Sequence, residues 1–181
     1  MNSPAFHRRL QRGMTLVEVT MALSVAAVLT GLAAPSFDKA LQRRHLEGAA
    51  AQLATDIHYT RSLAVSRNAP LRISFEASAS GSCYVIHSGA ANQCSCATDG
   101  AATCAGDATA ERSVRFAAAD SVGLKSNVRS VLFDPVRGTS SPTATLQLVS
   151  RNAGAIHQVV NITGRLRSCS PSPAISGYKK C

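Results

Sequence analysis

The sequence has no tryptophan, and aromatic residues make up only 4% of it. A core without large rings has to be packed from aliphatic side chains and has to gain stability elsewhere. Cysteine is missing from everything before Cys83, and none of the six cysteines stands in the C-x₂₋₄-C spacing of a structural zinc site. Even with His87 near Cys94 and Cys96, that spacing favours disulfides in an oxidising compartment over a metal. No nucleophile motif and no pair of carboxylates occurs, and His7, His45, His58, His87 and His157 are scattered. Neither catalysis nor a bound cofactor is expected. Charge is absent between Glu18 and Asp38.

What is present bounds the rest. A chain of 181 residues can bury one ordinary core plus whatever its N-terminus adds. The formal net charge is +9, of which Arg8, Arg9 and Arg12 supply +3, so the remainder still carries +6. A basic remainder points to an anionic partner, nucleic acid or an acidic envelope polymer. Residues 19–37 are apolar for about the length a helix needs to cross a bilayer. The three arginines before them keep the N-terminus in the cytoplasm by the positive-inside rule. A conventional signal peptide would be cut after Ala33-Ala34, but Pro35 directly after that cut makes a poor site. Glu18 sits in the first turns of the apolar run, where a carboxylate is costly and therefore has a partner.

The stretch Gly13-Met14-Thr15-Leu16-Val17-Glu18 resembles the signal of prepilins: a basic leader, a glycine, then a mature N-terminus with Glu at its fifth position. The resemblance implies cleavage after Gly13 by prepilin peptidase and methylation of the new amino group on Met14. Phe is the commoner first residue, so Met14 departs from the pattern. Pro35 falls at mature position 22, where pilins often carry a helix-kinking proline. Cleavage creates an ammonium group, and Glu18 of one subunit is then suited to neutralise that of a neighbour in a filament. The implied location is the inner membrane, single-pass, with a periplasmic head assembled into a pilus or pseudopilus.

Helical periodicity continues beyond Pro35. Leu46, Ala49, Ala50, Leu53, Ile57, Leu63 and Ala64 recur near every 3.6 residues, with Arg43, Arg44, Glu47, Asp56 and Arg61 on the wet side. Asn68-Ala69-Pro70 ends the helix. The period then changes to two: Leu71, Ile73 and Phe75; Val114 and Phe116; Val131 and Phe133; Ala144, Leu146 and Leu148; Ile156, Val160 and Ile162. The expected organisation is a leader over 1–13, a transmembrane or filament-core helix over 14–40, and its amphipathic half over 41–68. A head of antiparallel β follows over 69–181. Residues 78–110 read as a Cys-rich insert, a hairpin with a disulfide-pinned excursion, holding Cys83, Cys94, Cys96 and Cys104, paired 83–94 with 96–104 or in the crossed way. Cys169 and Cys181 are expected to close the tail, 169–181. The expected fold class is α+β, and the prepilin resemblance implies that it is type IV pilin-like, with the long N-terminal helix packed on the sheet.

Three further segments narrow the resemblance. YTRSLAVSRNAPL (residues 59–71), LFDPVRG (132–138) and VVNITGRLR (159–167) are similar to the helix end, a turn and the closing strand of the GspH/FimT pseudopilins. On a strand, Arg165 and Arg167 share one face while Leu166 points to the core. Two adjacent guanidiniums repel each other and are shaped for bidentate contact with phosphate. In FimT proteins a C-terminal GRxR motif is associated with DNA binding in natural transformation. Gly164, Arg165 and Arg167 match it, with Lys179 and Lys180 following in the tail. The resemblance therefore implies a minor pilin whose partners are other pilins, prepilin peptidase, the inner membrane and DNA without sequence preference. The alternative is a GspH-like minor pseudopilin of the type II secretion system that does not bind DNA.

Overall fold

Thr15 opens the long helix α1 (Leu16–Arg67). The computed structural model describes residues 13–97, 99–171 and 175–181, and of 32–35 only the backbone. Apart from Gly13, the expected leader lies outside the described residues, as does the side chain of Pro35. The Thr15 hydroxyl accepts the Glu18 N–H at 3.3 Å, and Glu18 stands three residues on, the spacing of a capping box. Thr20, Ser24 and Thr30 turn their hydroxyls back onto the carbonyls of Val17, Met21 and Ala26. The hydroxyls of Thr20, Ser24 and Thr30 are thus satisfied within the helix, as an apolar environment favours. Its apolar side chains are uncovered: Leu16, Met21, Leu23, Val28 and Phe37 are all more than half exposed. No single helix among the described residues is long and apolar enough to cross a membrane. The segments Leu16–Gly31 and Ser36–Arg67, taken together as a bent pair, meet that requirement by length and composition.

The chain divides into two compact units, Met1–Asp38 and Lys39–Cys181. In the second, the remainder of α1 buries Leu46, Ala50, Leu53, Ile57 and Ala64 completely or nearly so. Asn68 ends the helix in the left-handed region at φ 48°, and the Ala69 N–H closes on the Ala64 carbonyl at 3.1 Å. Among the described residues eleven strands follow: β1 (Leu71–Ser78), β2 (Gly81–His87), β3 (Cys94–Cys96), β4 (Ala102–Cys104), β5 (Ala110–Ala117), β6 (Val122–Ser126), β7 (Ser130–Phe133), β8 (Ser140–Ser141), β9 (Ala144–Ser150), β10 (Gly154–Val160) and β11 (Leu166–Cys169). They form a five-stranded sheet in the order β5-β2-β1-β7-β8, a four-stranded sheet in the order β11-β10-β9-β6, and the small hairpin β3-β4. Every strand pair is antiparallel. Ile73, Tyr84, Ile86, Phe133, Leu146, Leu148 and Ile156 meet the helix residues in one core.

Three expectations need correction. Asp56 is not on the wet side: it is fully buried, its carboxylate accepting the Tyr84 hydroxyl at 2.6 Å and Arg112 Nη1 at 2.8 Å. Periodicity alone cannot separate a solvated carboxylate from a buried one that has found two donors. The insert is shorter than 78–110, because β2 is a central strand buried from Ser82 to His87 on both faces. A strand covered on both sides shows no alternation, so its bounds were hidden inside the stretch read as a hairpin. Ile162 is not in a strand; it is 66% exposed in the turn between β10 and β11.

Of the two pairings left open for the insert, the structure takes the crossed one. Cys83 joins Cys96, tying β2 to β3, and Cys94 joins Cys104 across the hairpin. Loops of 13 and 10 residues closed in this way each remove about 3 kcal/mol of unfolded-chain freedom in the chain-entropy account. That gain suits a segment almost devoid of large apolar residues.

Candidate nucleic-acid interface

The β10–β11 turn is built around Asn161. Its side-chain oxygen accepts the Arg165 N–H and the Thr163 hydroxyl, both at 2.8 Å, while its carbonyl accepts the Gly164 N–H at 2.9 Å. Gly164 is buried and lies at φ 72°. A Cβ there would collide with the Gly138 carbonyl oxygen and stand 3.0 Å from Arg61 Nε, so glycine is required by both conformation and space. Arg61 itself donates from Nε to the Gly138 carbonyl at 2.8 Å. Gly138 closes a turn whose Asp134 carboxylate accepts the N–H groups of Val136 and Arg137 at 3.0 and 2.7 Å. Helix, loop and turn, three segments far apart in the sequence, thus meet at one joint.

The two arginines stand directly beyond that joint. Leu166 is half-buried against the core, and Arg165 and Arg167 on either side of it are exposed. Neither guanidinium has a hydrogen-bond or ion-pair partner among the described residues. The nearby acid, Asp134, is engaged with its own turn.

The tail returns to the same strand. Cys169 is bonded to Cys181, the Ser170 N–H donates to the Lys179 carbonyl at 2.9 Å, and the Cys181 N–H donates to the Ser170 carbonyl at 3.1 Å. Lys179 and Lys180 are therefore held beside the end of β11, about 10 Å along the strand from Arg167 at 3.3 Å per residue. Arg43, itself paired with Glu47 at 2.8 Å, fixes the tail further by donating from Nη2 to the Ser176 carbonyl at 2.6 Å. The arrangement offers four cations on one sheet edge, two of them forked donors suited to phosphate oxygens.

The remaining sequence-derived positions lie elsewhere. Gly13 and Met14 are exposed ahead of α1, and Glu18 is exposed in its first turn, where a carboxylate also suits the helix dipole. Two clusters, His157 with Cys169 and Cys181, and Glu76 with Cys83 and Cys96, have the spacing of a metal site. In both, the sulfurs are bonded to each other, leaving no thiolate for a metal. Sequence reasoning missed Arg61 and Gly138. Their signal was present, since two of the quoted similar segments contain them, but no local pattern says that they touch.

The family model of the type II transport protein GspH matches residues 49–164. The chain belongs to the GspH family. A second model, the prokaryotic N-terminal methylation motif, matches residues 8–34, and together the two make this a chain of the minor pilin and pseudopilin class. The GspH match includes Arg61, Gly138 and Gly164 and stops one residue before Arg165, so it covers the joint and not the arginines. Among solved structures, the type IV minor pilin FimU of Pseudomonas aeruginosa is 22% identical over 74% of this chain and 95% of its own, with a TM-score of 0.51. A second crystal form of FimU is 21% identical over 72% and 98%, with a TM-score of 0.49. The first likeness establishes the type IV pilin fold for this GspH-family chain. No curated protein matches it.

Proposed function

We propose that the chain is a minor pilin of a type IV pilus that holds DNA through Arg165 and Arg167 for natural transformation. The observation that carries this reading is the pair of exposed guanidiniums with no counterion among the described residues, set on a glycine-pinned turn beside two stapled lysines. Prepilin peptidase removes the leader after Gly13, and Met14 is methylated. Residues 14–40, with Pro35, lie in the inner membrane or filament core, and the head over 69–181 is periplasmic. Glu18 neutralises the terminal amine of a neighbouring subunit.

Phosphate contact predicts duplex binding with little sequence preference and a log–log salt slope of roughly −0.9 per phosphate neutralised. Arg165→Ala and Arg167→Ala are expected to reduce that slope by about one unit each, at unchanged melting temperature. Lysine at either position keeps the charge and loses the fork, so it binds between alanine and the native residue. The test is a mobility-shift titration of the oxidised protein across salt concentrations.

The description of the matched family as a type II transport protein, and the end of that match at Gly164, favour a second reading. On it the chain is a structural minor pseudopilin of a secretion pseudopilus. A well-folded, oxidised protein that binds no DNA at low salt decides for it.

A further inference from the structure

Residues 122–181 contain a single acid, Asp134, against eight lysines and arginines, whereas residues 14–121 hold nine acids against eight. The four strands of the sheet β11-β10-β9-β6 contain no acid at all. Side chains alternate across this sheet, so its register sorts them into two faces. Leu124, Leu148 and Ile156 form one cross-strand row, and all are buried against the core. The neighbouring row on the opposite face runs Lys125, Gln147, His157 and Cys169. Next to it on that same face runs Thr145, Val159 and Arg167. Lys125 and Arg167 are exposed at the two edges; Thr145, Gln147, His157 and Val159 between them are half-buried and include no acid, lysine or arginine, and Cys169 is buried in its disulfide. Lys125, like the two arginines, has no ion-pair partner among the described residues.

Resting on the DNA-binding reading above, we infer that the contact surface is this whole outer sheet face, with Lys125 as a further phosphate contact, and that its ligand is a duplex. Three strand spacings of about 4.8 Å separate Lys125 from β11, and Arg167 lies two residues along that strand from the Lys125 row. The diagonal between the two cations is thus about 16 Å. A major groove is about 12 Å wide, so cations at this separation reach the phosphates on its two sides. Gln147, Thr145 and His157 offer hydrogen-bonding groups between them. Proteins that hold single strands do so largely by stacking bases on aromatic rings, and no aromatic residue occurs in these four strands. A surface of edge cations and neutral centre follows a paired backbone and gives unpaired bases nothing to stack on.

The test uses the full chain in a zwitterionic detergent, titrated with a fluorescent mixed-sequence duplex over a salt series. Lys125→Ala is expected to lower affinity about three- to tenfold at low salt and to reduce the salt slope by about 0.9. Lys125→Glu lowers affinity further, Lys125→Arg restores it, and all three melt like the native chain. Arg44→Ala, which removes a cation from the helix, leaves the slope unchanged. A Lys125→Glu chain with native affinity, beside an Arg165→Ala chain that is weakened, confines binding to the arginine pair and overturns the sheet-face inference while leaving the DNA reading intact. A loss at Arg44 equal to that at Lys125 overturns it as bulk charge. Tighter binding of the unpaired strand than of the duplex overturns the choice of ligand, and a native chain that binds neither overturns the DNA reading itself.

Discussion

Replacing Gly164 by alanine isolates the joint from the arginines it carries. The residue lies at φ 72°, where an L side chain costs about 1–2 kcal/mol. The added Cβ runs into the Gly138 carbonyl oxygen and comes within 3.0 Å of Arg61 Nε, and forcing atoms into a filled space adds about 1–3 kcal/mol. The expected destabilisation is therefore about 2–5 kcal/mol, and at about 2–4 °C per kcal/mol the melting temperature falls by roughly 10 °C. Thermal unfolding followed by circular dichroism, with a urea titration to give the free energy, measures it. Arg61→Ala alone removes one hydrogen bond to Gly138 and costs about 1 kcal/mol. The double variant is less destabilised than the sum of the two, since Arg61 is one of the two groups the new methyl meets. A Gly164→Ala chain melting within about 2 °C of native, or strict additivity with Arg61→Ala, refutes the joint.

Tyr84→Phe keeps the ring in the core and leaves the buried Asp56 carboxylate short of a donor, a loss of about 1–3 kcal/mol readable as a lower urea midpoint; an unchanged midpoint denies Asp56 that dependence. The Tyr84 phenol is held above its usual ionisation range, first by burial and then by Asp56, so it remains the donor throughout the accessible pH range. Burial, opposed by the Ser88 carbonyl and aided by Arg72, depresses the basicity of His87. The unfolded chain then takes up that proton first, so stability falls as pH drops below about 6.5, and His87→Gln flattens the dependence of melting temperature on pH; a dependence identical to native rules His87 out as its source. Glu18→Val leaves membrane insertion intact and lowers incorporation into filaments, scored by subunit content of sheared fibres; native incorporation refutes the pairing of Glu18 with a neighbour's amine.

The helix could be read from the sequence because its determinants are local. Thr15 and Glu18 start it, the 3.6-residue spacing of Leu46, Ala50, Leu53 and Ile57 runs through it, and Asn68 and Pro70 stop it. Alternating strands such as β9 declared their buried faces for the same reason: each polar residue between the apolar ones faces water. The exposure of Arg167 agrees with the strand pattern about Leu166, whereas Arg165 stands just before β11 in the turn, where its exposure follows from the turn and not from strand alternation. These are patterns that a chain imposes on itself within a few residues.

Other features depended on contacts between distant residues. Asp56 on α1 is buried because Tyr84 of β2 and Arg112 of β5 reach it, and β2 lost its alternation because it is covered on both sides. The crossed pairing of Cys83 with Cys96 and Cys94 with Cys104 depends on how β3 and β4 lie beside β2, which spacing left open. The sequence by itself determined the helix, the alternating strands and the charges the chain carries, because local propensity and periodicity specify those. Only the tertiary structure decided which charges are buried, which are left without partners, and that Arg61, Gly138 and Gly164 form one joint, because those depend on the meeting of segments that no local rule brings together.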